Sequence, residues 1–131
     1  MIRTKLLAAS LVSITLISLL HHAALHYHWY FTHRWIDIVM HVLGGFWIAV
    51  SACYFAIIFM HDESVLYDKK HLARIIFVAV FIVGTIWEFF EFFSGNTFLH
   101  TANFWTDTIS DMINNFIGGA FVYLYVILKK K

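Results

Sequence analysis

The sequence contains no proline, a single cysteine (Cys53) and only 13% charged residues. Each scarcity excludes something. One thiol builds neither an intramolecular disulfide framework nor a cysteine metal cluster. Without proline there is no signal for the kinked or discontinuous helices of many transporters. A soluble domain carries about 25% charged residues, so this chain has too little polar surface to face water on all sides. Its formal net charge of +1 leaves no electrostatic footprint for nucleic acid.

Apolar residues fill the gap. The chain is 61% hydrophobic and 19% aromatic over 131 residues, against about 45–50% apolar in a globular protein. The solvent that accepts such a surface is lipid. Runs near 20 apolar residues cross a bilayer core, and four are present, at about 6–24, 35–60, 72–93 and 106–128. The connecting segments, 26–34, 61–71 and 94–105, are too short to fold alone. The expectation is a single integral membrane domain over 1–131, all-α, a bundle of four transmembrane helices.

The first run follows Arg3 and Lys5 and so has the outline of a signal peptide. No small-x-small cleavage site follows Leu20, where His21 and His22 stand, and it reads as an uncleaved span. Ser10, Ser13, Thr15 and Ser18 suit a helix packed on neighbours. An even number of spans puts Arg3, Lys5, Lys69, Lys70, Arg74 and Lys129 to Lys131 on one side and Arg34 alone on the other. The positive-inside bias then predicts that both termini are cytoplasmic and that the first and third loops face outward. Trp29, Trp35 and Trp105 fall at the outer boundary, where indole rings favour the headgroup region. Gly44, Gly45, Gly118, Gly119 and Ala120 allow close backbone approach. Phe89, Phe90, Phe92 and Phe93 read as lipid contact and packing.

Ionisable residues inside three of the spans carry the functional signal. Asp37 and His41 are i and i+4, Glu88 and Glu91 are i and i+3, and Asp107 and Asp111 are i and i+4, so each pair shares one helix face. Asn115 extends the last stripe by another turn, with Asn114 beside it. At ~1.5 Å per residue, Asp37, Glu91 and Asp107 lie ~3 Å inside the outer ends of their spans. By the same rise, His41, Glu88 and Asp111 lie ~7–9 Å inside. Two layers of three ligands are expected, both on the outer side.

A charge in the apolar region costs ~2.5–3.5 kcal/mol on insertion scales, so five carboxylates need compensation. Arg34 can balance one. The others must be protonated, hydrated or bound to metal. Carboxylates with one imidazole suit one or two divalent ions of Mn, Fe, Zn or Mg, which gives Asp37, His41, Glu88, Glu91, Asp107 and Asp111 as metal ligands, with Arg34 and Asn115 in support. A centre of this kind could hydrolyse a lipid-linked or phosphorylated substrate at the outer leaflet, with a metal-free carboxylate as general base. Two other classes stand beside this enzyme reading. Proton or cation transport needs a polar path onward, yet the inner halves of spans two to four hold little beyond Ser51, so a path would have to be enclosed by a homo-oligomer. A noncatalytic assembly factor would use the acids, with Asn114 and Asn115, only to fix helix register. The sequence names no partner besides the bilayer.

His21, His22, His26 and His28 cluster at the outer end of span one and could add ligands; the other reading is that they are simply interfacial. His33 and His100 lie in outer loops. Cys53, deep in span two, reads as an inert core thiol. Solvation accounts for His61, Asp62, Glu63, Asp68 and His71 in the inner loop.

Asp37-Ile-Val-Met-His41, Trp87-Glu88-Phe-Phe-Glu91 and Asp107-Thr-Ile-Ser-Asp111-Met112, taken together and in order, resemble the YjdF-like family of bacterial inner-membrane proteins. They are distantly similar to the VanZ-like group, whose fourth helix carries Asp, Asn and Gly, here Asp111, Asn115 and Gly118-Gly119. The resemblance covers residues 35–122 and stops short of the first span. It implies a multi-pass membrane protein and no particular reaction. VanZ-like proteins are associated with resistance to teicoplanin-type glycopeptides; Glu91 stands here where an amide is common, and no arginine precedes Asp107, so that role does not carry over.

Overall fold

The computed structural model describes residues 2–33, 35–94 and 104–129. Arg34, the expected counter-ion, and His100 lie outside them. The described chain forms α1 (Ile2–His26), a four-residue α2 (Trp29–Thr32), α3 (Trp35–Met60), a 3-10 turn (Glu63–Leu66), α4 (Lys69–Ser94) and α5 (Phe104–Leu128). The four long helices are each long and apolar enough to cross a membrane. At ~1.5 Å per residue they reach nearly 40 Å, more than the ~30 Å hydrocarbon core, so their ends stand among the headgroups. Three of them begin earlier than the apolar runs do: α1 takes in Arg3 and Lys5, α4 takes in Lys69 and Lys70, and α5 starts at Phe104. A hydropathy window stops at a charge, whereas a helix continues through lysines whose stems lie along it and whose ammonium groups reach water.

The two short connections turn on non-glycine residues with positive φ, His28 (58°) and His61 (54°). In the loop between α3 and α4, the Ser64 hydroxyl and backbone N–H both donate to Asp62, and they hold its carboxyl below the usual range. The His71 N–H donates to Asp68 Oδ1 at 2.8 Å and does the same there, capping the first turn of α4.

Helix α3 is the centre, packing on α1, α4 and, most extensively, α5. Its residues Ile48, Ala49, Cys53 and Ile57 join Leu72, Ile76, Val80, Val122 and Val126 in one core, in the half of the bundle that carries both ends of the chain. Cys53 is fully buried there. Glycines set the α3–α5 contact. A Cβ on Gly45 would stand 1.9 Å from the Asn115 carbonyl oxygen, and one on Gly118 would stand 2.0 Å from the Val42 oxygen. The backbones therefore touch, which fixes the register of the two helices and brings His41 level with Asp111 and Asn115.

Helix α1 packs along α3, where the Ser10 and Ser51 hydroxyls meet at 2.8 Å, and makes no extensive contact with α4 or α5. Two clefts result. One lies on the α4 side in the half away from the termini, and the other on the α5 side in the half that bears them. Phe55, Phe59, Phe77, Phe81, Phe89, Phe90, Phe92 and Phe93 are exposed around the bundle. An apolar belt of this extent belongs in lipid.

Candidate functional site

Asp37 stands in the first turn of α3 and Asp107 in the first turn of α5. The positive ends of the helix dipoles favour a carboxylate at both places. Glu88 and Glu91 are near the C-terminal end of α4, where the dipole opposes negative charge, so they call for a cation or a proton. One turn deeper, His41, Glu88 and Asp111 are only 5–7% exposed.

The structure groups these residues across the two expected layers, with the imidazole in common. His41 Nε2 lies 3.7 Å from Asp37 Oδ1 and 3.6 Å from Asp111 Oδ2. Asp37, His41 and Asp111 form one set whose ligand atoms all fall within 4.8 Å of one another, and His41, Glu88 and Glu91 form a second. An ion about 2.0–2.2 Å from nitrogen and oxygen donors holds those donors roughly 3–4 Å apart, so either set could close on a metal ion with small rotamer changes. Asp107 belongs to neither set. It lines a cavity of about 10 Å³ with Asp37, Glu88, Glu91, Thr108 and Asp111, a volume near that of one water or one ion. Among the described residues, Glu88 Oε1 and Thr108 Oγ1 are buried with no hydrogen-bond partner. A buried acceptor left so costs ~1–3 kcal/mol, and a cation would remove that cost at Glu88.

Asn115, buried by the α3–α5 crossing, places Nδ2 3.5 Å from His41 Nδ1. With the amide donating, Nδ1 accepts and the ring proton sits on Nε2. With the amide turned over, Nδ1–H donates to the amide oxygen and Nε2 is free to ligate. Asn115 can therefore serve either tautomer.

A larger cavity of about 300 Å³ opens beside the cluster in the cleft between α1 and α4. Its polar end includes Asp37, His41, Glu91 and Asn115, and its apolar wall includes Ile17, Trp47, Val83 and Trp87. Of the four histidines at and just beyond the end of α1, His21 and His22 line it, while His26 and His28 are exposed and apart. His22 Nδ1 donates to the Ser18 carbonyl at 2.7 Å. His33 is exposed as well.

Sequence reasoning missed Tyr30. It is buried in α2, between the spans, and its hydroxyl shares a 2.8 Å hydrogen bond with His21 Nδ1 at the cavity. A lone tyrosine in a nine-residue connection shows no periodicity that would announce it. Burial pushes its phenol up to about 12 from 10.0, and the charges of Asp37 and Glu91 add to the effect. Because the folded value is raised, the stabilisation linked to the neutral phenol is complete below pH 10 and is lost as pH rises toward 12. Tyr30→Phe should remove one phenolate transition near pH 12 from an absorbance titration. The lost hydrogen bond should lower thermal stability by about 1 kcal/mol.

No curated protein and no solved structure matches the chain. A model of a family described as a predicted membrane protein family, DUF2238, matches residues 2–131. That match takes in α1, which the motif resemblance had left out, and the chain belongs to this family.

Proposed function

We propose that this is a small multi-pass protein of the bacterial inner membrane, with both termini cytoplasmic, that binds one or two divalent ions of Mn, Fe, Zn or Mg through Asp37, His41, Glu88, Glu91 and Asp111. The loaded centre would hydrolyse a phosphorylated or lipid-linked substrate at the outer leaflet. One observation carries the reading: three helices bring His41 and five carboxylates to a single cluster, buried at His41, Glu88 and Asp111, in which Glu88 has an oxygen without a hydrogen-bond partner among the described residues. Burying so many acids merely to align helices is expensive, and the α3–α5 register is already set by glycine contacts.

When bound, the metal supplies Lewis acidity and lowers the pKa of water. The chain supplies the rest. Asp107, in the same small cavity but outside both ligand sets, is the carboxylate left to act as general base. The 300 Å³ cavity, with its apolar wall and its opening between α1 and α4, suits the chain of an amphiphile entering sideways from the bilayer. Transport is less well supported, because beyond the cluster the interior is the apolar core, crossed by the Ser10–Ser51 hydrogen bond.

Metal analysis by mass spectrometry on protein purified in mild detergent tests the reading. About one or two equivalents of a single divalent metal are expected, with Glu88→Ala and Asp111→Ala each falling to background while remaining folded. Protein that stays metal-free through titration with all four ions would overturn it.

A further inference from the structure

The second cleft, between α1 and α5 at the end that carries the chain's termini, takes no part in the carboxylate cluster. It encloses about 560 Å³, well within the ~300–1,000 Å³ of small-molecule sites. Its walls are apolar, with Leu6, Ala9 and Phe46 on one side and Phe121, Val122 and Val126 on the other. Its polar groups are Lys5, Lys129, Tyr67 and Tyr125, and among the described residues no carboxylate lines it. Lys129 and Tyr125 pair at the exposed rim of the cleft. The Lys129 Nζ donates to the Tyr125 hydroxyl at 2.5 Å and lies 4.8 Å from the centroid of the same ring, which holds the ammonium group against the cleft. Lys5, from the other end of the chain, lines the same cleft.

From this arrangement we infer that the α1–α5 cleft is a binding site for an anionic phospholipid of the leaflet on the termini side. One acyl chain would lie along the apolar walls, and the phosphate would sit between Lys5 and Lys129, with the tyrosine hydroxyls as further donors. The chemistry is that of a lipid, apolar below and cationic at the level of the headgroups. A protein helix fits poorly, since a cylinder about 10 Å across would fill the volume in fewer than two turns. The lipid would also supply what the protein lacks at this place, a bridge between α1 and α5, which hardly touch each other.

The inference does not depend on the metal centre, and metal content serves as an internal control. Full-length protein in mixed micelles is titrated with phosphatidylglycerol or with phosphatidylcholine of the same acyl chains, and bound lipid is counted by native mass spectrometry beside the thermal midpoint. The wild type should bind one phosphatidylglycerol in preference to phosphatidylcholine and melt at a higher temperature with it. Lys5→Gln/Lys129→Gln should weaken that binding on the order of tenfold and keep its metal. Lys69→Gln/Lys70→Gln removes the same charge from the same membrane side at residues that do not line the cleft, and it should bind as the wild type does. Equal binding of the two lipids overturns the proposal, and so does an equal loss in both double variants, which would mean a diffuse basic surface. A dimer that forms through this face regardless of lipid would make the occupant a second copy of the chain and overturn it as well.

Discussion

Gly45→Ala and Gly118→Ala should each prevent the bundle from assembling in a stable form, whereas Gly44→Ala should be nearly silent. The three glycines look alike in sequence and differ in what a methyl group would meet. At Gly45 and Gly118 the new Cβ would lie 1.9 and 2.0 Å from carbonyl oxygens of the opposing helix. At Gly44 the nearest atom is the Asn115 side-chain oxygen at 3.6 Å, an ordinary contact. Overpacking a core usually costs about 1–3 kcal/mol because side chains can change rotamer. A backbone carbonyl has no rotamer, so α3 and α5 must move apart and the cost should reach or exceed the top of that range. Thermal melts in detergent, with protease resistance as a second measure, read the result. Melting of either clashing variant within a degree or two of the wild type would mean that the crossing is looser than the structure gives.

That crossing shows how far the sequence could be read. Four spans followed from run length alone, because a bilayer allows few alternatives to a helix of about 20 apolar residues. The small-residue groups pointed to close approach, but which glycine faces which carbonyl depends on the rotation of each helix about its own axis, and hydropathy does not encode rotation. The same holds for the cluster. Helical spacing paired Asp37 with His41, Glu88 with Glu91 and Asp107 with Asp111, and the rise per residue set their depths. What it could not give was the grouping across helices, in which His41 belongs to both ligand sets and Asp107 to neither. The cleft between α1 and α4, with the His21–Tyr30 pair at its polar end, was out of reach for a different reason. It exists because α1 packs on α3 and not on α4, a choice made by tertiary contacts that leave no periodic mark.

The place of His41 in both sets makes it the most sensitive position in the cluster. His41→Ala takes the only nitrogen from each group and leaves oxygen donors alone, so bound Zn should fall to background, whichever set holds it. Asp107→Asn should leave the metal in place and, under the hydrolytic reading, remove turnover. Asn115→Leu separates ligation from orientation. It keeps every ligand but strips His41 Nδ1 of its hydrogen-bond partner, the amide that, turned with its oxygen toward the ring, accepts from Nδ1–H and holds Nε2 free. Loss of such an orienting partner typically lowers metal affinity by about 10–100-fold. Competition with a chelator measures that loss, and the melting temperature of the metal-free protein checks that the leucine has not disturbed the α3–α5 contact. An unchanged affinity in a well-folded Asn115→Leu protein would mean that His41 does not bind through Nε2, and the ligand sets would then have to be redrawn around the carboxylates alone.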